Sequence, residues 1–240
     1  VDYLVLVTPE AKEYYASNYG LDLSRIKVVP NYADVSRLSK IQIKPSVLDQ
    51  YQKKFMLVYF GDTGLRRGTK TILEAARMLK EEEVFHFVII GKSREQDLLW
   101  QYKQVHKLTN VELTGFLDFD TIMSYVAASK AGLCPFLRNI HHDTTYSNKM
   151  FQYMYYGKPV IASNCTSQQN LIEQANCGFI FKAGDADDLV LSIKKLYASE
   201  AYPRLSSNAR ESVLETYNSE KGYTELLEIY NQAPKKSSVS

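Results

Sequence analysis

The sequence predicts an α/β protein built on one parallel sheet with helices on both faces. Short apolar runs rich in β-branched and aromatic side chains alternate with segments of 3.6-residue periodicity along most of the chain. The runs are continuous, as in Phe55-Met-Leu-Val-Tyr-Phe60, the pattern of strands covered on both faces. Alternation over about six such units implies parallel strands joined by crossover helices, with ligands at the strands' carboxyl ends.

Residues 3–7 form a short strand. Thr8 caps and Pro9 opens a helix to about Tyr19, stopped by Gly20. A second strand at 26–29 stops at Pro30, and a connecting helix spans 45–54. Strands follow at 55–60, 85–90, 111–114 and 131–136. Between them lie a helix at 69–80, with Ile72, Ala75, Ala76 and Leu79 on one face, and helices marked by Leu98, Leu99, Tyr102 and Val105 and by Phe119, Ile122, Met123 and Val126. A helix of about three turns then starts at Ser147 or Asn148 and stops at Gly157, before the strand formers Val160 and Ile161. A helix at 168–175, a strand at 178–181 and a helix from Asp185 come next. Two final helices bury Leu205, Ala209 and Val213, and Tyr223, Leu226, Leu227 and Tyr230. Residues 233–240 are polar and expected to be disordered.

Composition narrows the function. The 240 residues carry a net charge of +2, which argues against a dedicated nucleic-acid binder. Cys134, Cys165 and Cys177 lack metal-ligand spacing and read as reduced, buried thiols of a cytosolic protein. No apolar run is long enough to cross a membrane, and the first residues read like the interior of a longer protein.

The informative residues fall at strand ends. After the 55–60 strand comes Gly61-Asp-Thr-Gly-Leu-Arg-Arg-Gly-Thr-Lys70. Its glycines permit close backbone approach, and Arg66, Arg67 and Lys70 concentrate positive charge beside a helix start. A further cation, Lys149, lies in the first turn of the helix capped near Ser147, where unpaired N–H groups favour an anion such as phosphate. A dinucleotide site is disfavoured: the glycine spacing is Gly-x-x-Gly-x-x-x-Gly, and Gly91-Lys92 stands where a ribose-binding acid belongs. His141, His142 and Asp143 offer metal ligands or proton carriers. Adjacent residues seldom reach one metal, however, and exposed histidines are the default expectation.

The stretch Asn148-Lys-Met-Phe-Gln-Tyr-Met154 with Gly157-Lys-Pro-Val-Ile-Ala-Ser163, together with Pro30-Asn-Tyr-Ala-Asp34, resembles the donor-binding C-terminal lobe of GT-B glycosyltransferases (group 1, family 4-like). The resemblance covers nearly the whole chain. It implies a Rossmann-like lobe, with residues 1–40 as the tail of an N-terminal acceptor lobe plus the interlobe junction, and 41–232 as the donor-binding domain. It implies a nucleoside-diphosphate sugar as donor, transferred to an acceptor glycan or lipid-linked glycan in cell-surface polysaccharide or glycolipid synthesis. No metal or cofactor is expected, and the location is cytoplasmic, peripheral at the inner membrane face. Arg66, Arg67 and Lys149 would stabilise the leaving diphosphate. Donor contacts fall on Gly61, Gly64, Gly91, Lys92, Phe116, Leu117, Thr144, Tyr146, Ser147, Asn148, Met150 and Gln152, with Phe116 and Leu117 at the base and His141 and His142 as candidate sugar contacts. The sequence departs from the family at three positions. Its acid pair falls on Thr144 and Gln152, and Asp62 replaces the usual Arg. A catalytically degenerate nucleotide-sugar-binding scaffold is therefore the alternative, and this chain without its first lobe is expected to turn over poorly or not at all.

Overall fold

The computed structural model describes residues 2–232. In chain order the elements are β1 (Leu4–Leu6), α1 (Pro9–Tyr19), β2 (Ile26–Val28), α2 (Val35–Leu38), α3 (Pro45–Gln50), β3 (Phe55–Phe60), α4 (Thr69–Met78), β4 (Phe85–Ile90), α5 (Gln96–Val105) and β5 (Val111–Gly115). They continue with α6 (Phe119–Ala128), β6 (Ala131–Cys134), α7 (Ile140–Asp143), α8 (Asn148–Tyr155), β7 (Val160–Ser163), α9 (Thr166–Ala175), β8 (Gly178–Phe181), α10 (Ala186–Tyr197), α11 (Tyr202–Glu215) and α12 (Ser219–Gln232). β1 and β2 pair in parallel as a sheet of their own. The other strands form one parallel sheet in the order β5-β4-β3-β6-β7-β8.

The predicted sheet with two covered faces is present. All of β3 is buried. Its alternate residues divide between two cores: Phe55, Leu57 and Tyr59 pack with residues of α4 and α10, and Met56, Val58 and Phe60 with residues of α6, α8 and α9. α1 begins as predicted, with Thr8 Oγ1 accepting from the Ala11 N–H at 3.0 Å and Gly20 closing the helix in the left-handed region at φ 63°.

Some helices differ from their expected form. α3 ends at Gln50, because Tyr51 turns inward, 4% exposed, and donates its hydroxyl to Glu112 at 2.5 Å. α8 has eight residues, about two turns, and Ser147 sits at its cap position without a side-chain capping bond. On α5 only Leu99 is buried; Leu98 and Val105 face solvent. The largest correction is α12, where Tyr223, Leu227 and Tyr230 are 62%, 64% and 71% exposed. Periodicity marks an apolar stripe but not what covers it. α12 runs back beside residues 30–34, where the Ser219 N–H donates to the Ala33 carbonyl at 2.8 Å. The expected disorder of 233–240 lies outside the described residues.

Candidate functional site

The chain leaves β3 toward β4 and β5 on one side, then returns to β6 on the other. Loops that diverge from neighbouring strands open a crevice at such a switch point. Here the two loops begin at Gly61 and, after β6, at residue 135. Phe136, itself 4% exposed, underlies the cations of both loops. The Arg67 guanidinium lies over its ring at 5.0 Å from the centroid and the Lys149 ammonium at 4.9 Å. Lys149 also lies 4.8 Å from the Tyr59 centroid, and a Cβ built on Gly61 would sit 3.6 Å from its ammonium. Two cations from distant segments thus share one aromatic floor where the backbone of Gly61 leaves room.

The cations differ in their surroundings. Arg66 is exposed and donates to Asp62 Oδ2 at 3.1 Å. Arg67 is half-buried, with its Nε 3.5 Å from Asp62 Oδ2 and one terminal nitrogen 3.2 Å from His142 Nε2. Burial acts to raise the Asp62 carboxyl, but the Gly64 N–H and both arginines outweigh it and hold the group below its ordinary range. Asp62, which replaces the usual Arg, therefore orients the two guanidinium groups that follow it. Lys149 has no ion pair among the described residues; its nearest polar contact is Ser147 Oγ at 3.5 Å. The N–H groups of Asn148 and Lys149, at the start of α8, meet no carbonyl among the described residues, whereas that of Met150 is paired with Ser147 O at 2.9 Å.

The loops after β4 and β5 continue the same edge. The Gly91 N–H donates to Gly115 O at 2.8 Å. Lys92 is exposed, with its chain 3.7 Å from where a Gly115 Cβ would lie. Phe116 is 75% exposed, so it is not core, and Leu117 is half-buried beside it. In sheet order the edge reads Phe116 and Leu117, then Lys92 and Gly91, then Gly61, then the Arg67 and Lys149 platform.

Several other expected site residues turn into the core or are already engaged by protein groups. Met150 is fully buried in the core, and the Gly61 and Gly64 N–H groups are spent on Ile90 O and Asp62 Oδ1. Tyr146 packs with Tyr32 and Phe151. Thr144 is 8% exposed and donates its hydroxyl to Ile140 O at 2.7 Å, while its carbonyl accepts from Thr8 Oγ1 at 2.6 Å. Asn148 accepts from Asn31. Gln152 is half-buried, and its side chain makes no hydrogen bond among the described residues. The histidines part company. His141 is exposed and lines, with Thr144 and Tyr15, a groove of about 340 Å³ against α1 and β1. His142 is 2% exposed, contrary to the expected solvent exposure, because its ring stacks on Phe136 at 4.5 Å. Among the described residues no cluster of three metal-ligating side chains occurs. Tyr59 and Phe136 went unassigned in the sequence, although an aromatic at the carboxyl end of an inner strand was the available signal.

Burial is the main reason that Lys149 drops to about 8, with Arg67 adding to the effect. The unfolded chain keeps this group near 10.5 and so binds more protons above pH 8. Against the opposing contribution of the thiols of Cys134, Cys165 and Cys177, which burial keeps protonated in the fold, the Lys149 contribution to stability therefore rises as pH increases from 7.5 to 9. Lys158, also held at about 8 chiefly by burial, acts in the same sense. The Lys149 share is the part of the rise that Lys149→Met removes in urea denaturation at the two pH values; an unchanged rise in the variant would contradict it.

The family model of the group 1 glycosyl transferases matches residues 54–199. The chain belongs to this family. It is 21% identical over 236 residues to an Escherichia coli UDP-Gal:α-D-GlcNAc-diphosphoundecaprenol α-1,3-galactosyltransferase, covering 95% of this chain and 59% of the relative. Among solved structures it resembles Anabaena HepE in complex with UDP (TM-score 0.83, 17% identity, 97% of this chain and 64% of that one). It also resembles a glycosyltransferase of Rickettsia africae (TM-score 0.84, 19% identity, 98% and 64%). Its fold is thus that of the Rossmann-like GT-B lobe, and it spans about three fifths of the length of these relatives. Among the described residues no helix is long and apolar enough to cross a membrane.

Proposed function

We propose that this glycosyltransferase chain binds a nucleoside-diphosphate sugar along the strand-end edge, for transfer of the sugar to an acceptor hydroxyl. The observation that carries this is the seating of Arg67 and the unpaired Lys149 on one aromatic floor at the switch point. The exposed Phe116 receives the base, and Gly91 and Lys92 line the path between base and diphosphate. As the bond to the sugar breaks, negative charge grows on the leaving diphosphate. Arg67, Lys149 and the two open N–H groups of α8 meet it in a half-buried site, where preorganised donors act strongly. Arg66 adds a more exposed, screened charge. Since these groups neutralise the leaving group themselves, the reaction is proposed to run without a divalent cation; retention at the sugar is proposed on the family resemblance alone.

We further propose that residues 1–40 are the end of an acceptor-binding lobe, a reading supported by their separate β1–β2 sheet. The groove holding His141 and Thr144 then faces the sugar and acceptor. The E. coli relative's lipid-linked substrate supports a glycolipid or polysaccharide acceptor and peripheral association with the inner face of a membrane. HepE was solved with UDP, so uridine nucleotides are the first probes.

Calorimetry with uridine, its monophosphate, its diphosphate and a UDP-sugar tests the site. The diphosphate and UDP-sugar are expected to bind at least tenfold more tightly than the monophosphate, and Phe116→Ala to weaken all nucleotides about five- to tenfold, in keeping with roughly 1–3 kcal/mol per stacked base. Equal affinity for mono- and diphosphate would refute the phosphate assignment. Thr144 and Gln152 leave a scaffold role as the second reading; sugar transfer by the full-length protein, absent in Lys149→Ala, excludes it.

A further inference from the structure

His142 belongs to no sequence motif that the donor site uses, yet it is buried beside that site, 2% exposed. Its Nδ1 lies 2.7 Å from Leu137 O, and its Nε2 lies 3.2 Å from an Arg67 terminal nitrogen. A carbonyl only accepts and a guanidinium only donates. The proton therefore sits on Nδ1 and Nε2 offers its lone pair; the Asn139 amide nitrogen, 3.0 Å from Nδ1, then finds its acceptor in Leu137 O at 3.4 Å. Asn139 fixes the turn by accepting from the His142 N–H at 2.9 Å, and the ring stacks on Phe136 at 4.5 Å with 30° between planes.

We propose that His142 is a positioning residue: a neutral imidazole whose Nε2 lone pair holds the Arg67 guanidinium where it receives the donor diphosphate. This rests on the donor-site reading above. Arg67 then has one face on Phe136, one edge on Asp62 and one terminal nitrogen on His142, with its remaining donors left for the ligand. Protonation of His142 would place an N–H against those of Arg67 and release the brace.

The charges acting on the imidazole are all positive: Arg67 and Arg66 from the turn after β3, and His141 on its own helix. Lys149 of α8 shares the Phe136 ring. The carboxylate of Asp143 is turned to Arg138 and the Thr166 N–H at the start of α9. Asp62 engages Arg67 Nε, and Glu10 of α1 is held by Ser167 and Asn170. Burial lowers His142 below its ordinary range; the bond to the Leu137 carbonyl opposes it and the surrounding cations add to it, and the net shift is downward, so the brace is intact at neutral pH.

The test measures UDP-sugar affinity by calorimetry from pH 7.5 to pH 5. A UDP-sugar is the right probe because a terminal phosphate titrates near 6 and its own ionisation would intrude. Wild type is expected to lose about tenfold in affinity as pH falls through the His142 transition. His142→Gln, which places an amide oxygen near the Nε2 position, should stay within threefold of wild type at pH 7.5 and lose the acid limb. His142→Asn, which reaches only the Nδ1 position, should bind about tenfold more weakly throughout. Equal behaviour of the two variants, or an acid limb that persists in His142→Gln, overturns the inference. Nitrogen chemical shifts of His142 in the wild-type chain give a readout independent of any variant's folding: a proton on Nδ1 supports the brace and a proton on Nε2 ends it. Absence of UDP-sugar binding by wild type at pH 7.5 removes the donor-site reading and this one with it. Binding that Arg67→Ala abolishes, with an acid limb unaltered in His142→Gln, removes the brace alone.

Discussion

Arg67→Ala is expected to weaken UDP-sugar binding about a hundredfold while the chain stays folded. A hydrogen bond to a charged group contributes about 1.5–3 kcal/mol, and a bidentate hold on a diphosphate uses two of them. A loss near 3 kcal/mol corresponds to roughly two decades in affinity. Arg66→Ala provides the contrast. Arg66 is 69% exposed and already paired with Asp62, so its contribution is screened and about threefold in affinity is expected. Calorimetry on the two variants, with thermal unfolding as a check on folding, decides the matter. Equal losses for the two arginines would mean that burial of Arg67 on the Phe136 ring has no bearing on binding.

Gly91→Ala is expected to cost about 4 kcal/mol of stability or to prevent folding. Gly91 adopts φ +137°, a region almost closed to residues with a Cβ, and a Cβ there would lie 1.8 Å from the carbonyl oxygen of Gly61. That oxygen belongs to backbone at the carboxyl end of the central strand and has no room to retreat. Gly20→Ala separates the two components. Its φ is +63° with nothing within 4 Å of a built Cβ, so only the left-handed backbone is penalised and about 1 kcal/mol is expected. Urea denaturation of both variants tests the comparison, and a Gly91 variant no worse than the Gly20 variant would show that the β3 and β4 loops can part.

The alternation of apolar runs and helical stripes made the sheet legible, because Phe55–Phe60 has the signature of a strand buried on both faces. Glycines beside cations at strand ends pointed to the residues that the structure gathers at the switch point. Legibility stopped where distant segments meet. Lys149 reads as a cation in the first turn of a helix, and nothing in the sequence shows that Tyr59 of β3 and the Phe136 ring close around it. His142 reads as a surface histidine until Phe136 and Arg67 enclose it. Met150 looked like part of the ligand loop, yet an eight-residue helix turns it into the core. α12 failed for the opposite reason: its stripe is genuine, but Tyr223, Leu227 and Tyr230 meet no cover among the described residues.

The unpaired ammonium of Lys149 gives position 149 two opposed histories under selection. In a library screened for heat resistance alone, methionine and leucine should displace lysine there, because an apolar side chain fits between two aromatic rings without a desolvated charge. In a library screened for sugar transfer, lysine should return. Catalytic lineages would thus carry a standing thermal handicap at this site, recouped by substitutions elsewhere in the sheet, and a lineage that had given up transfer would reveal itself by losing that lysine first.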